Sequence, residues 1–328
     1  MANEKLTATN PSGFIEHDHN HDEIDRRGFL KCMAWAGTGA VCLVQGGVLK
    51  SFALRSHGSH TKVGASGLSF VQISDSHMGF NKPANPDVIG TLKAAVDKIN
   101  ALPQKPEFLL HTGDITHLSK PEEFDNVDQI LKATGKEIFC VPGEHDVLNA
   151  DGASFRARYA RQSPGHGWHS FDHSGVHFIG LVNVMNLKAG GLGNLGQAQL
   201  EWLAKDVKHR KHSTPIVVFA HIPLWSVYPQ WGWGTDDSAQ ALSYLKKFGS
   251  VTVLNGHVHQ TMQKVEGNMT FHTAFSTAFP QSAPGSAEGP GPMKVPAEQL
   301  RHVLGISDVN FVQGRHALAL TDSPLADM

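Results

Sequence analysis

Sulfur chemistry is nearly absent from this chain, which holds three cysteines in 328 residues. Cys32 and Cys42 lie in the N-terminal stretch, so Cys140 stands alone in the remainder and an intramolecular disulfide there is excluded. Charge bias is absent too. Lysine and arginine total 28 against 30 acidic residues, a net of -2, so there is no broad basic field to hold nucleic acid or an anionic membrane. Long unbroken apolar runs are also missing. The best candidate, Cys32 to Leu49, is interrupted by Gly37, Gly39, Gly46 and Gly47 and is barely long enough to span a bilayer. No repeat appears at solenoid periods. What is present is a chain of 40% hydrophobic and 18% charged residues, ordinary for a globular protein and able to bury a sizeable core. Histidine is the exception at 21, and a residue that ligates metals and exchanges protons near neutrality points to a cluster of ligands.

The segment "DRRGFLK", Asp25 to Lys31, carries Arg26 and Arg27 ahead of Phe29, Leu30 and the weakly hydrophobic run, which ends at the small-x-small site Ser51 to Ala53. This resembles a twin-arginine signal peptide over residues 1–53, followed by a linker at 54–65. The resemblance implies export to the periplasm or beyond, with the twin-arginine translocation machinery as a partner and membrane contact only if the leader is retained. The histidine-rich "EHDHNHDE", Glu16 to Glu23, precedes the arginine pair and reads as a solvated polar leader.

From residue 66 onward, short apolar runs rich in β-branched and aromatic residues alternate with segments of three- and four-residue apolar spacing. The runs are "LSFVQIS", "PEFLLHTG", "EIFCVPG", "TPIVVFAH" and "VTVLNGH", each ended by Gly, Ser or His, and they predict buried strands. Val88 to Ile99, Phe124 to Leu131, Gln197 to Val207 and Ala239 to Phe248 predict helices. Alternation of this kind implies a layered α/β architecture. Trp168 to Val184 and Thr261 to Ala274 read as hairpins turning at His173 to Gly175 and at Gly267-Asn268, which makes the sheets mixed. The domain is expected over 66–276. A Pro- and Gly-rich surface loop follows over 277–297, and 298–328 is expected to pack on the domain.

Each predicted strand runs into groups able to bind metal. These are Asp75-Ser76-His77, Gly113-Asp114, Gly143-Glu144-His145-Asp146, His221, and Gly256-His257-Val258-His259. Any one of them is weak evidence. An Asp-x-His after a strand is more often a helix cap beside a surface histidine, but in open α/β sheets the carboxyl ends of the strands face one crevice, so five sites in this order converge.

On these motifs the chain resembles the calcineurin-like metallophosphoesterase superfamily, over about residues 66 to 276 and including "GWHSFDHSGVHFIGL" and "GQAQLEWLAKD". The family's motifs read D-x-H, G-D-x-x-D, G-N-H-D/E, a lone H and G-H-x-H, on a layered α-β-β-α fold with a mixed β-sandwich. The resemblance implies that Asp75, His77 and His259 hold one metal, that Glu144, His221 and His257 hold another, and that Asp114 bridges them. It further implies that His145 contacts the phosphate and protonates the leaving oxygen, with Asp146 orienting its ring. Two divalent or mixed-valence ions of manganese, iron or zinc suit imidazole and carboxylate donors, and the lack of thiolates argues against a purely structural zinc. The implied reaction is hydrolysis of a small organic phosphate mono- or diester by a metal-bound hydroxide.

Two positions depart from the pattern: Glu144 stands for the family's Asn, and His117 for the second Asp of G-D-x-x-D. Glu144 adds a negative charge to the donor set, which weakens Lewis acidity, tightens metal retention and favours a trivalent ion. Two functional readings follow: an altered but active hydrolase, or a metal- or phosphate-binding protein of the same fold that has lost turnover. In "HIPLWSVYPQWGWGTDD", Trp225, Tyr228, Trp231 and Trp233 either stack a substrate ring or merely pack the loop, and His117 joins Trp225, Tyr228 and Trp231 as a candidate substrate contact.

Overall fold

The computed structural model describes residues 67–161, 163, 165–312 and 318–326, together with the backbone alone of 40–45 and 48–53. The latter form an antiparallel hairpin, β1 (Ala40–Gln45) and β2 (Val48–Ala53), within a separate N-terminal unit. The twin-arginine pair and the linker at 54–65 lie outside the described residues.

The second unit runs β3 (Gly67–Ile73), α1 (Val88–Ala101), β4 (Phe108–His111), α2 (Pro121–Leu131), β5 (Glu137–Cys140) and α3 (Ala153–Tyr159). Next come β6 (His169–His173), β7 (Val176–Gly180), α4 (Gln197–Val207), β8 (Ile216–Ala220), α5 (Ser238–Leu245) and β9 (Val251–Asn255). The chain closes with β10 (Met262–Glu266), β11 (Met269–Thr273), α6 (Ala297–Leu300), β12 (Gly305–Val312) and β13 (Ala319–Pro324). Local chemistry sets the ends of the helices. Asp87 caps α1 by accepting from the Gly90 amide at 2.8 Å, and α2 starts at Pro121, whose missing N–H costs nothing in a first turn.

Two mixed sheets result. One is ordered β13-β12-β3-β4-β5 and the other β10-β11-β9-β8-β7-β6, with β3-β4-β5 and β7-β8-β9-β11 parallel and the remaining pairs antiparallel. Both predicted hairpins form, as β6-β7 and β10-β11. The period of two in the central strands sorts side chains between layers. Leu68, Phe70, Phe108, Leu110, Phe178, Val217 and Phe219 fill the space between the sheets, with Phe70 stacked on Phe108 at 5.2 Å and edge-on to Phe178 at 5.4 Å. Val71, Ile73 and Leu109 point the other way onto Leu92, Val96 and Ile99 of α1 and Phe124 and Val127 of α2. Ile216, Val218 and Val253 likewise meet Leu200 and Leu203 of α4 and Leu245 of α5. The order of layers is therefore helix, sheet, sheet, helix.

The segment after residue 298 joins the five-stranded sheet: β12 inserts beside β3 and carries β13 on its far edge. Its apolar side chains Val309 and Phe311 belong to the core between the sheets.

Candidate metal centre

At the carboxyl ends of the strands, the apolar filling between the sheets gives way to hydrogen-bonded polar groups. Gln72 Nε2 donates to Thr112 Oγ1 at 3.0 Å and to the Asn255 carbonyl at 3.1 Å, which joins the two sheets. Asn255 Nδ2 in turn donates to the Ala220 carbonyl at 2.9 Å. On this floor the loops turn sharply. Nine non-glycine residues among those described have positive φ, and five of them are Asp75, His77, Asp114, His257 and His259. Such conformations cost on the order of 1–3 kcal/mol each and persist only where surrounding structure enforces them. Gly113, at φ +96°, lies so close under the cluster that a Cβ there would sit 2.5 Å from His221 Nδ1 and 2.7 Å from the Gly143 nitrogen.

The side chains so presented form two facing donor sets. In one, His259 Nε2 is 3.2 Å from Asp75 Oδ1 and 3.2 Å from His77 Nε2. In the other, Glu144 spans two imidazoles, with Oε2 3.0 Å from His221 Nε2 and Oε1 3.1 Å from His257 Nδ1. Asp114 Oδ2 lies between the sets, 3.4 Å from His77 Nε2 and 3.4 Å from His221 Nε2. The seven donors follow the ends of five strands, β3, β4, β5, β8 and β9, and Asp75, His77, Asp114, His221 and His259 are buried.

These groups fit a cationic occupant better than they fit one another. His221 Nδ1 donates to the Thr112 carbonyl at 2.7 Å and His259 Nδ1 to the Phe279 carbonyl at 2.6 Å, which turns each Nε2 toward carboxylate oxygens. His77 Nδ1 is buried without a hydrogen-bond partner. Burial alone would raise the Asp75 carboxyl, but His259 and His221 outweigh it and hold it down to about 2. Burial likewise works against Glu144, and His257 and His221 overcome it. Burial and then the neighbouring imidazoles of His259, His145 and His117 keep His77 neutral, well below the usual histidine range. On His221 burial is opposed by Asp114 and Glu144, which push it well above that range. Without metal a proton thus occupies this half of the cluster, and a metal ion entering there displaces it.

His145 and Asp146 follow Glu144 on a single tight turn, residues Glu144–Asp146. The His145 amide donates to Asp114 Oδ1 at 2.9 Å and its Nδ1 donates to the His117 carbonyl at 2.8 Å, which leaves Nε2 free. Asp146 does not orient that ring, contrary to expectation. Its fully buried carboxylate accepts from the amides of Ile115, Thr116 and Gly143 and from Thr116 Oγ1, all at 2.8–3.0 Å. These four donors make it a clamp between the 114–116 and 143–146 loops, while burial and the neighbouring Asp114 raise its carboxyl to about 7 against the pull of the amides. The backbone of His117 performs the role given to Asp146, while its ring stacks on His145 at 4.9 Å and 16°.

A cleft of about 250 Å³ opens over His77, Asp114, Glu144, His145, His257 and His259. His117 and Trp231 line it as expected. Trp225 does not: its ring enters the core beside Phe271 at 5.3 Å. Tyr228 packs edge-on against Trp231 at 5.2 Å and is not among the lining residues. Trp233 of the same aromatic loop lines it as well, and the lining that sequence reasoning missed is Phe80, Lys82, Phe279, Gln281 and 290–292. Gln281 Nε2 donates to the His257 carbonyl at 2.9 Å while its Oε1 accepts from the Gly291 amide at 3.2 Å, so one amide ties the Pro- and Gly-rich loop to a ligand loop. Asn183 is buried and spent on the Ile222 carbonyl and Thr235 Oγ1, and Arg158 pairs with Asp125 and Asp128.

A helix-sheet-sheet-helix protein whose strand ends gather histidines and carboxylates around one shared aspartate belongs to the class of layered α/β metalloproteins. Within that class the chain is a member of the calcineurin-like phosphoesterase family, whose model matches residues 68–261. It is 31% identical over 176 residues to the serine/threonine-protein phosphatase CPPED1 of Mus musculus, across 48% of this chain and 56% of that protein. It is 24% identical over 217 residues to a 3′,5′-cyclic-nucleotide phosphodiesterase of a Nostoc species, across 62% of this chain and 76% of that protein. The chain spans about half the length of the first of these relatives. A dimetal phosphatase from Danio rerio shares the fold with a TM-score of 0.58 at 14% identity, over 79% of this chain and 97% of that one.

Proposed function

We propose that the protein is a metal-dependent hydrolase of small organic phosphate esters. The observation that carries this reading is the pair of donor sets joined by Asp114, with the free Nε2 of His145 beside them. Asp75, His77 and His259 would hold one ion, Glu144, His221 and His257 another, and Asp114 would touch both. Ions bound there supply Lewis acidity toward phosphoryl oxygens and an acidified water. The remaining work falls to the chain. In the metal-free chain burial lowers the basicity of His145, but Asp114, Glu144 and the His117 carbonyl outweigh it and raise its pKa. With Nδ1 on the His117 carbonyl, its free Nε2 is the group placed to give a proton to a departing alkoxide. Trp231, Trp233 and Phe279 offer an apolar wall to the organic group, and a space of about 250 Å³ favours small molecules over polymers.

Metal content and hydrolysis of an aryl phosphate monoester and its bis-aryl diester, with manganese, iron or zinc supplied in turn, test the proposal. Close to two ions per chain with turnover of either ester is expected. Full occupancy with no turnover, restored by Glu144→Asn, would overturn it in favour of a silent metal-binding protein.

We further propose export by the twin-arginine route, supported by Arg26-Arg27 and the interrupted apolar run behind them. A reporter fused after residue 53 should leave the cytoplasm, and Arg26→Lys with Arg27→Lys should stop it. Export of that double variant would sink the assignment.

A further inference from the structure

Beyond the metal donors, the cleft has one lysine or arginine among its lining residues, Lys82, and no further acidic side chain. Its neighbours across the opening are apolar or neutral: Phe80, Trp231, Trp233, Phe279 and Gln281. Among the described residues no carboxylate lies within 4.0 Å of its ammonium.

The backbone beneath Lys82 is fixed. Phe80 is buried against Phe279 at 4.3 Å and His117 at 5.2 Å. Asn85, also buried, donates its backbone amide to the Lys82 carbonyl at 3.0 Å and its Nδ2 to the Ala278 carbonyl at 2.6 Å. Pro83 restricts the residue before it to extended conformations. An exposed lysine whose backbone is held at the rim of this cleft, with no carboxylate on its ammonium, is placed for an anion that arrives with the substrate.

We propose that Lys82 forms an anion subsite: the preferred substrate is a small phosphate ester whose organic part carries a second negative group, a carboxylate or another phosphate, on a ring-sized apolar body. The inference rests on the phosphoesterase reading for its first anion, the reacting phosphate at the metal donors. The second anion then lies toward Lys82, with the apolar body between them against Trp231, Trp233 and Phe279.

The experiment compares phenyl phosphate with 4-carboxyphenyl phosphate and with phenyl phosphate bearing a second phosphate at the 4-position, on metal-loaded wild-type protein, Lys82→Ala and Lys82→Arg. An exposed charge-assisted contact is worth about a five- to tenfold change in kcat/KM. Lys82→Ala should lose that factor on the doubly anionic esters, mostly through KM, while phenyl phosphate changes by less than about twofold. Lys82→Arg should restore it, and whichever of the two second anions shows the larger loss names the source. Equal loss on all three esters would make Lys82 a contact of the reacting phosphate and overturn the proposal, as would no loss on any. Calorimetric binding of benzylphosphonate and 4-carboxybenzylphosphonate to the same metal-loaded proteins reads the subsite without turnover. Absence of hydrolysis would then count against the phosphoesterase reading, while the Lys82 dependence of phosphonate binding would still decide this one.

Discussion

Two clusters of histidine and carboxylate occupy opposite circumstances in this molecule. In the cleft, His221 and His259 use Nδ1 on backbone carbonyls and turn Nε2 toward oxygens that are themselves acceptors. On the six-stranded sheet, His177 of β7 places Nδ1 3.0 Å from Asp172 Oδ1 and Nε2 2.7 Å from Asp206 Oδ2, so both ring nitrogens are matched. Arg210 pairs with both oxygens of Asp172, at 2.7 and 3.1 Å, and Ser170 donates to Asp206 at 2.8 Å. Neither nitrogen of the His177 ring is left over for a ligand. Both clusters are buried histidines beside aspartates, and the difference lies in where the second nitrogen goes. A carbonyl on one nitrogen frees the other for metal, whereas carboxylates on both consume it.

The largest effect that can break this contrast is expected from Asp114→Asn. The amide keeps the shape but removes the charge shared by both donor sets, so metal content should fall by half or more and hydrolysis by about 1,000-fold or more. Stability of the metal-free chain should change little, by less than about 1 kcal/mol, or rise, because a charge in a strained and unmatched cluster has been removed. Metal analysis and urea unfolding in chelator check the two halves. Undiminished metal content would mean that the cleft cluster, like the outer one, is satisfied without an ion.

Much of this was legible beforehand because strand ends are local signals. Asp75, Asp114, His221 and His257 each follow within two residues, or three for Asp114, of the strand that places them, and the apolar-to-polar transition marks that point in the chain. What escaped depends on partners remote in sequence. β12 alternates polar and apolar residues like an edge strand, and only its pairing with β3, across some 230 positions, makes it internal. Trp225 and Trp231 are equivalent as letters in an aromatic loop. The turn that pairs Tyr228 with Trp233 sends the first ring into the core and the second to the cleft. Phe279 and Gln281 lie just past the expected boundary at 276, and their place over His259 and His257 comes from contacts across the fold. The orienting role given to Asp146 failed for a related reason: a carboxylate next to a histidine in sequence is drawn to four nearer donors.

A smaller effect sharpens the contrast from the other side. His177→Gln removes a fully buried ring from between two carboxylates and leaves Asp206, whose side chain is 14% exposed, with Ser170 as its remaining donor. The expected cost is about 2 kcal/mol of global stability, read as a lower urea midpoint, with metal content and kcat unchanged. Loss of metal in this variant would show that the outer cluster is coupled to the cleft.

The smallest effect is the pH dependence of that same difference. Burial would raise the Asp206 carboxyl, but hydrogen bonds from His177 and Ser170 and the charges of His177 and Arg210 outweigh it and lower it. Asp172 is lowered too, its slight burial outweighed by Arg210 and His177. A carboxyl whose folded pKa lies below its unfolded value adds stability that is fully present above the unfolded value, about 3.9 for aspartate, and is lost as pH falls through the folded one. The wild-type chain in chelator should therefore weaken through this window, and His177→Gln, already lacking the imidazole that lowers Asp206, should weaken less. The two urea midpoints should converge as pH drops from about 6 toward 3. Asp75 and Glu144 in the cleft, also lowered, titrate identically in both proteins and cancel from the comparison. A gap that stays constant over that range would mean that the loss at His177 is one of packing rather than charge, and the outer cluster would then differ from the cleft in shape more than in electrostatic closure.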